Sequence, residues 1–196
     1  LYECVYALTG ESHTKQMGLA ERIMQRLNDA CEKWKQAENG LGYSVYGTPI
    51  ESTTYKFAKS LKSRFGNVPG VTDHGYITNS YHVNVKEKIS PLNKIKLESE
   101  LQKYSLGGMI SYIEAGDMTD NPEAVLQVIK YIYDNIAYAE INMKSDYFSC
   151  CGYSGEIKIK EKSDGTLFWE CPECGCTDDS GKLHLARRTC GYIGSN

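Results

Sequence analysis

No stretch of this 196-residue chain stays apolar and uncharged long enough to cross a bilayer, so a helical membrane span is excluded. Neither sign of charge dominates. With 22 basic and 25 acidic side chains the net charge is -3, so bulk electrostatics recruits neither nucleic acid nor an anionic membrane surface. Internal repeats and low-complexity tracts are absent, and the opening Leu1-Tyr2-Glu3-Cys4 lacks the pattern of a signal peptide. What is present suits a soluble globular protein: 41% apolar and 24% charged residues, enough for one domain with a sizeable core plus a small appendage. The first residue is not Met and the chain stops five residues after Gly191, so a piece of a longer protein is expected.

The cysteines are unevenly placed. Six of the eight fall after residue 149, as Cys150-Cys151, Cys171-x-x-Cys174-x-Cys176 and Cys190; Cys4 and Cys31 stand alone. Paired knuckle spacing favours a metal site in a reducing cytoplasm over a set of disulfides. Cys31 lies on the apolar stripe of a helical pattern and is expected to be a buried structural thiol.

Apolar positions at helical spacing (Met17, Ala20, Ile23, Met24, Leu27, Cys31, Trp34) predict a long amphipathic helix over 14–38, closed by Asn39-Gly40. Further helices are predicted over 52–65, from Ser90-Pro91 to 104, and from Asn121-Pro122 to 135. Strands are predicted over 41–46, 78–85, 109–114 and 137–142. Alternation of strands and helices points to βαβ units and an α/β fold with a parallel sheet. The character changes near 145. Beyond it, 153–162 and 166–170 read as a hairpin turning at Ser163-Asp164-Gly165, with a cysteine pair on each side, as in a zinc ribbon. Two domains, 1–144 and 145–196, are therefore expected.

Zinc takes four ligands in a tetrahedron, and a Cys-x-x-Cys turn followed by Gly supplies two of them. Cys171-Pro172-Glu173-Cys174-Gly175 is such a turn, and Cys151-Gly152 is the closing half of another. Its partner should stand at 148, which is Phe. The expected ligand set is Cys150, Cys151, Cys171 and Cys174, with Cys176 and His184 as other candidates for the fourth place and a three-ligand or metal-free site as the alternative. Four sulfurs leave neither an open position nor a general base, so the metal is expected to be structural. No basic and aromatic surface surrounds the ribbon, which argues against nucleic-acid binding. His13 and His82 read as structural residues; His74, in a Gly-rich loop, is the one more suited to face a site.

Arg187-Arg188-Thr189-Cys190-Gly191-Tyr192-Ile193-Gly194 follows the cysteines directly. On Gly191 alone, a tight-turn glycine is the competing reading. The octapeptide resembles the radical loop of the glycyl radical enzymes, whose core is Arg, two variable residues, then Gly-Tyr. With the cysteine cluster before it, the chain resembles the C-terminal part of the anaerobic (class III) ribonucleoside-triphosphate reductases. Gly47-Thr48-Pro49-Ile50-Glu51, Pro69-Gly70-Val71-Thr72-Asp73, Thr78-Asn79-Ser80-Tyr81-His82 and Gly107-Gly108 extend the resemblance over essentially the whole chain. That family has a Cys where this chain has Phe148.

The resemblance implies the second half of a ten-stranded α/β barrel, followed by a zinc ribbon and the radical loop. It implies that Gly191 stores the radical, held in place by Arg188 and Tyr192, and that the transient thiyl belongs to a cysteine of an earlier loop, not to Cys190. A backbone Cα radical must be planar, which a residue without Cβ allows. The implied activity is reduction of ribonucleoside triphosphates for DNA precursor synthesis, with formate as reductant. A radical S-adenosylmethionine iron–sulfur activase and a second copy of the enzyme are the implied partners, in the cytoplasm. In such a barrel the turn Gly47, Thr48, Pro49, Ile50 is a candidate cradle for the substrate triphosphate, its amides facing the anion at a helix start; Glu51 adds opposing charge, and an ordinary βα turn is the alternative. A formate-lyase type of glycyl radical enzyme and a non-catalytic zinc-ribbon interaction module are the competing functions. Half a barrel exposes sheet edges and an apolar face, so poor stability or self-association of the isolated chain is expected.

Overall fold

A computed structural model describes residues 1–196 except 39, 48–49, 51–52, 117, 119, 144, 156, 158, 162–166, 178–182, 190–191 and 196; at 143, 145, 161, 167, 183–189 and 192–195 only the backbone is described. The chain divides into two compact units, 1–113 with 127–140, and 114–126 with 141–196.

The first unit opens on a helix that periodicity did not foretell, α1 (Tyr2–Thr9). Gly10 closes it in the left-handed region (φ 74°), its N–H donating to Tyr6 O at 2.8 Å. The predicted long helix is α2 (Met17–Ala37), which buries Ala20, Met24 and Cys31 on one face. A short strand β1 (Tyr46–Gly47) follows, then α3 (Thr53–Phe65). Helix α4 (Pro91–Gln102) begins as its sequence requires: Pro91 takes the first position, and the amide of Asn93 donates to the Ser90 hydroxyl at 3.3 Å. Val5, Ala20, Met24, Tyr81 and Leu101 form the apolar centre of this unit.

The strand expected over 109–114 divides between two sheets. β2 (Gly108–Met109) pairs in parallel with β1 (Tyr46↔Gly108, Gly47↔Met109), whereas β3 (Ser111–Ala115) pairs with β4 (Ala139–Met143), the two being joined through α5 (Pro122–Asn135).

The strand expected over 78–85 is irregular. Its polar groups are met locally instead of by a ladder: His82 N–H donates to Asn79 O, Val83 N–H to Glu98 Oε1 at 3.0 Å, Asn84 Nδ2 to Thr78 Oγ1 and Lys86 N–H to Asn84 Oδ1. Ser80 sits at φ 40°, and Tyr81, His82, Val83 and Asn84 are all buried in succession, which no half-buried strand allows.

In the second unit β5 (Ser145–Phe148), β6 (Tyr153–Gly155), β9 (Leu183–Thr189) and β10 (Tyr192–Ser195) form an antiparallel sheet in the order β10-β9-β5-β6. Between β6 and β9 lies a separate hairpin, β7 (Ile159–Glu161) with β8 (Leu167–Trp169), in the register Ile159↔Trp169. The single strand expected over 153–162 is thus two strands of different sheets. The cysteine pairs do flank the β7–β8 hairpin, as expected of a ribbon. Phe148, Ile157 and Cys171 are buried together beneath them.

Candidate functional site: a cysteine cluster and two glycine turns

The cysteine cluster is assembled by two turns. The first joins β5 to β6, where Gly152 (φ 77°) donates its N–H to Phe148 O at 2.9 Å and brings Cys150 and Cys151 to the tip. The second follows β8. Cys171 N–H donates to Cys176 O at 2.8 Å, and Gly175 N–H donates to Cys171 O at 3.1 Å, closing the loop that carries Cys174. Gly175 has φ 70°, so a side chain there would be strained.

These turns bring together all four expected thiols. Cys150 Sγ lies 3.1 Å from Cys174 Sγ, and Cys151 Sγ lies 3.5 Å from Cys171 Sγ. Four thiolates about 2.3 Å from a zinc ion sit about 3.8 Å apart at the corners of a tetrahedron, so the donor set fits that ion. Cys176 also belongs to the cluster: Cys150, Cys174 and Cys176 lie mutually within 4.8 Å, as do Cys151, Cys171 and Cys174. No disulfide links these cysteines. The thiols polarise each other. The hydrogen bond from Cys150 brings the Cys174 thiol down to about 6, with help from the amide of Cys176, and the same bond pushes Cys150 up.

Phe148 explains the missing knuckle residue. It is fully buried at the end of β5, part of the floor under the cluster, so position 148 contributes packing, and Cys150, two residues on, brings a sulfur to the turn. His184 stands on β9 opposite Tyr147; its side chain lies outside the described residues.

Gly191 and Cys190 also lie outside the described residues. The strands on either side of them are paired: Tyr192 faces Thr189, Ile193 faces Arg188 and Gly194 faces Arg187.

The third predicted element is the turn after β1. Thr48 and Pro49 lie outside the described residues. Gly47 is buried, and a Cβ on it would overlap the ring of Tyr81 and stand 2.8 Å from the Ser105 hydroxyl. That hydroxyl is buried with no hydrogen-bond partner. The Tyr81 ring cannot easily yield, because its OH donates to Ile110 O at 2.9 Å and it stacks on His82 with 4.8 Å between centroids. Ile50 N–H, one of the amides expected to face an anion, donates to Asn79 Oδ1 at 3.2 Å, while Ile50 O receives the first amide of α3. Gly47 also borders a cavity of about 330 Å³ walled by Ile23, Met24, Leu27, Val45 and Tyr81. Asn79 belongs to a motif segment but was given no role there, and Ser105 was not anticipated; nearness to Gly47 and Ile50 in space reveals both. His13 and His82 are buried within the first unit, as expected of structural histidines.

The chain overlays the anaerobic ribonucleotide reductase of Thermotoga maritima, solved with MES in its active site, with TM-score 0.64 and 20% identity over 94% of this chain and 28% of that one. The fold is therefore that of an anaerobic ribonucleotide reductase part. All of residues 1–196 match the family described as anaerobic ribonucleoside-triphosphate reductase, and the chain belongs to that family. It is 36% identical to the Escherichia coli (strain K12) anaerobic ribonucleoside-triphosphate reductase over 201 residues, covering 100% of this chain, and 35% identical to the phage T4 protein of the same name over 177 residues, covering 90% of it. It spans 27% of the length of the first relative and 28% of the second.

Proposed function

We propose that this chain forms part of an enzyme that reduces ribonucleoside triphosphates to 2′-deoxyribonucleoside triphosphates by a glycyl radical mechanism, with formate as the reductant. The observation that supports this best is the match of all 196 residues to the reductase family. In this reading residues 1–144 are the second half of a ten-stranded barrel, and residues 145–196 are a zinc-ribbon and radical domain.

Gly191 stores the radical. With no Cβ, its Cα can flatten and share the unpaired electron with both flanking amides. Arg188 and Tyr192 hold the loop between β9 and β10. Cys150, Cys151, Cys171 and Cys174 hold a structural zinc ion, which cross-links the two turns and takes no part in the chemistry. The turn Gly47, Thr48, Pro49, Ile50 receives the substrate triphosphate. Asn79 holds the Ile50 amide, so the anion contacts fall to the rest of the turn and to the start of α3. The thiyl that attacks the ribose is assigned to a cysteine outside residues 1–196. An iron–sulfur, S-adenosylmethionine-dependent activase installs the radical, and the working enzyme is a cytoplasmic homodimer.

The test is anaerobic activation of the full-length enzyme followed by electron paramagnetic resonance. A doublet from a Cα radical, lost in Gly191→Ala, is expected. Absence of the signal with a competent activase would overturn the reading and favour a zinc-ribbon interaction module.

A further inference from the structure

Five thiols converge where zinc takes four. Cys151, Cys171 and Cys174 form one mutually close group and Cys150, Cys174 and Cys176 another, with Cys174 common to both. The first group supplies three corners of a tetrahedron from two turns whose backbones are closed by hydrogen bonds. A standard knuckle would take the fourth from position 148, but Phe148 is buried and carries no donor. Two sulfurs therefore remain beside Cys174. Cys150 reaches it at 3.1 Å from the β5–β6 turn. Cys176 lies within 4.8 Å of it on the far side of Gly175, and its backbone is pinned by the amide of Cys171 at 2.8 Å, which fixes the point about which its side chain turns. Both are partly buried against the Phe148 cluster, and both lie within 4.8 Å of each other.

We propose that Cys150 and Cys176 alternate in the single fourth position of the zinc site, with Cys151, Cys171 and Cys174 as the constant ligands. This rests on the reading of the cluster as a zinc site and gives Cys176 a role that the four-cysteine set leaves out. The exchange is a ligand substitution: the incoming thiol gives up its proton as its sulfur binds, and the outgoing thiolate takes one up. Metal charge and oxidation state are unchanged, and no oxidant is needed. Because the two sulfurs start near each other, side-chain rotation suffices and neither turn has to open. Cys150 thus replaces the sulfur lost at 148, and Cys176 keeps the site four-coordinate whenever Cys150 leaves.

Two measurements test this on the full-length enzyme. First, the zinc-loaded protein is alkylated with iodoacetamide under native conditions and mapped by peptide mass spectrometry. Cys151, Cys171 and Cys174 should be protected, and label should divide between Cys150 and Cys176. Label confined to one of those two would overturn the proposal. Second, cobalt(II) replaces zinc in Cys150→Ser, Cys176→Ser and the double variant. Each single variant should retain one metal and a four-sulfur thiolate-to-cobalt absorption; the double variant should lose a sulfur and release the metal on dialysis. A single variant as impaired as the double, or a double variant that keeps its metal through another group such as His184, would overturn it. A wild-type enzyme that binds neither zinc nor cobalt would instead remove the zinc reading itself, and the proposal with it.

Discussion

Replacing Gly47 with alanine adds one methyl group in the most crowded turn of the first unit. The new Cβ would stand 2.8 Å from Ser105 Oγ and from Tyr81 Cδ1 and closer still to Tyr81 Cε1, against the 3.4 Å at which ordinary contact begins, so Ser105 must retreat by about 0.6 Å and the Tyr81 ring by more. The Tyr81 ring is almost wholly buried, stacked on His82 and tied by its hydroxyl to Ile110 O. Overpacking of this kind costs about 1–3 kcal/mol. Loss of the Tyr81–Ile110 hydrogen bond, if the ring swings aside, adds about 1 kcal/mol. A total of roughly 2–4 kcal/mol is expected for Gly47→Ala in urea unfolding of the full-length enzyme. The comparison is Gly18→Ala. Gly18 lies inside α2 with open space where a Cβ would be, so alanine there should be neutral or stabilise by about 1 kcal/mol. The cause is checked by a double-mutant cycle: in a Tyr81→Ala background Gly47→Ala should cost far less. Equal costs in the two backgrounds, or a Gly47→Ala enzyme as stable as wild type, would refute the steric argument. Because Gly47 opens the proposed triphosphate turn, the KM for the nucleotide should rise in the same variant.

Glu98 is fully buried on α4, and its Oε1 accepts from the Val83 amide at 3.0 Å and from Lys94 Nζ at 2.9 Å. Glu98→Ala strands the Val83 amide and takes the counter-charge from Lys94, whose Nζ keeps only its bond to Tyr112 O among those described, and should cost about 3–5 kcal/mol, with Glu98→Gln milder; equal unfolding midpoints for the two would refute this. His13 is buried, and desolvation lowers its pKa in the folded chain. Its contribution to stability is therefore complete above the unfolded value of about 6.5 and is lost as pH falls from there through the folded pKa; a midpoint identical at about pH 7 and about pH 5 would contradict it, and His13→Gln should flatten the slope. Removing the proposed zinc with a chelator should loosen the two cysteine turns and raise hydrogen exchange at the amides of Gly152 and Gly175 before exchange rises in α2; uniform exchange along the chain would tell against a local metal staple.

The helices were legible where periodicity and caps agreed. Ser90-Pro91 states the start of α4 in two residues, and the stripe of α2 is long enough to be unambiguous. Helix α1 escaped because it is eight residues long, buries only Val5, and has no side-chain cap at its start. The segment 78–85 misled for a different reason. Its apolar and aromatic residues fit a strand, but the hydrogen bonds that hold it come from Glu98, distant in sequence, and from Asn79 and Asn84 folding back on their own backbone. At the cysteine cluster the Cys-x-x-Cys spacing pointed to Cys171 and Cys174, and Cys151-Gly152 to a third thiol, with Cys150, Cys176 and His184 as candidates for the fourth place. The burial of Phe148 and the approach of Cys176 depend on how two turns meet, which spacing does not encode.

Strand β9 has a geometry that bears on how this part of the enzyme can work. Its Leu183 end is paired with Phe148, beside the cysteine turn, and its Thr189 end leads directly to Cys190 and Gly191. Six residue steps at about 3.3 Å put about 20 Å between those ends. β9 is a beam clamped at its Leu183 end through β5 and paired at its Thr189 end with β10. A slip of one residue at the clamp would turn every side chain of the beam to the opposite face and shift the tip by a full residue. The cluster would then act as the anchor that sets where the glycine stands.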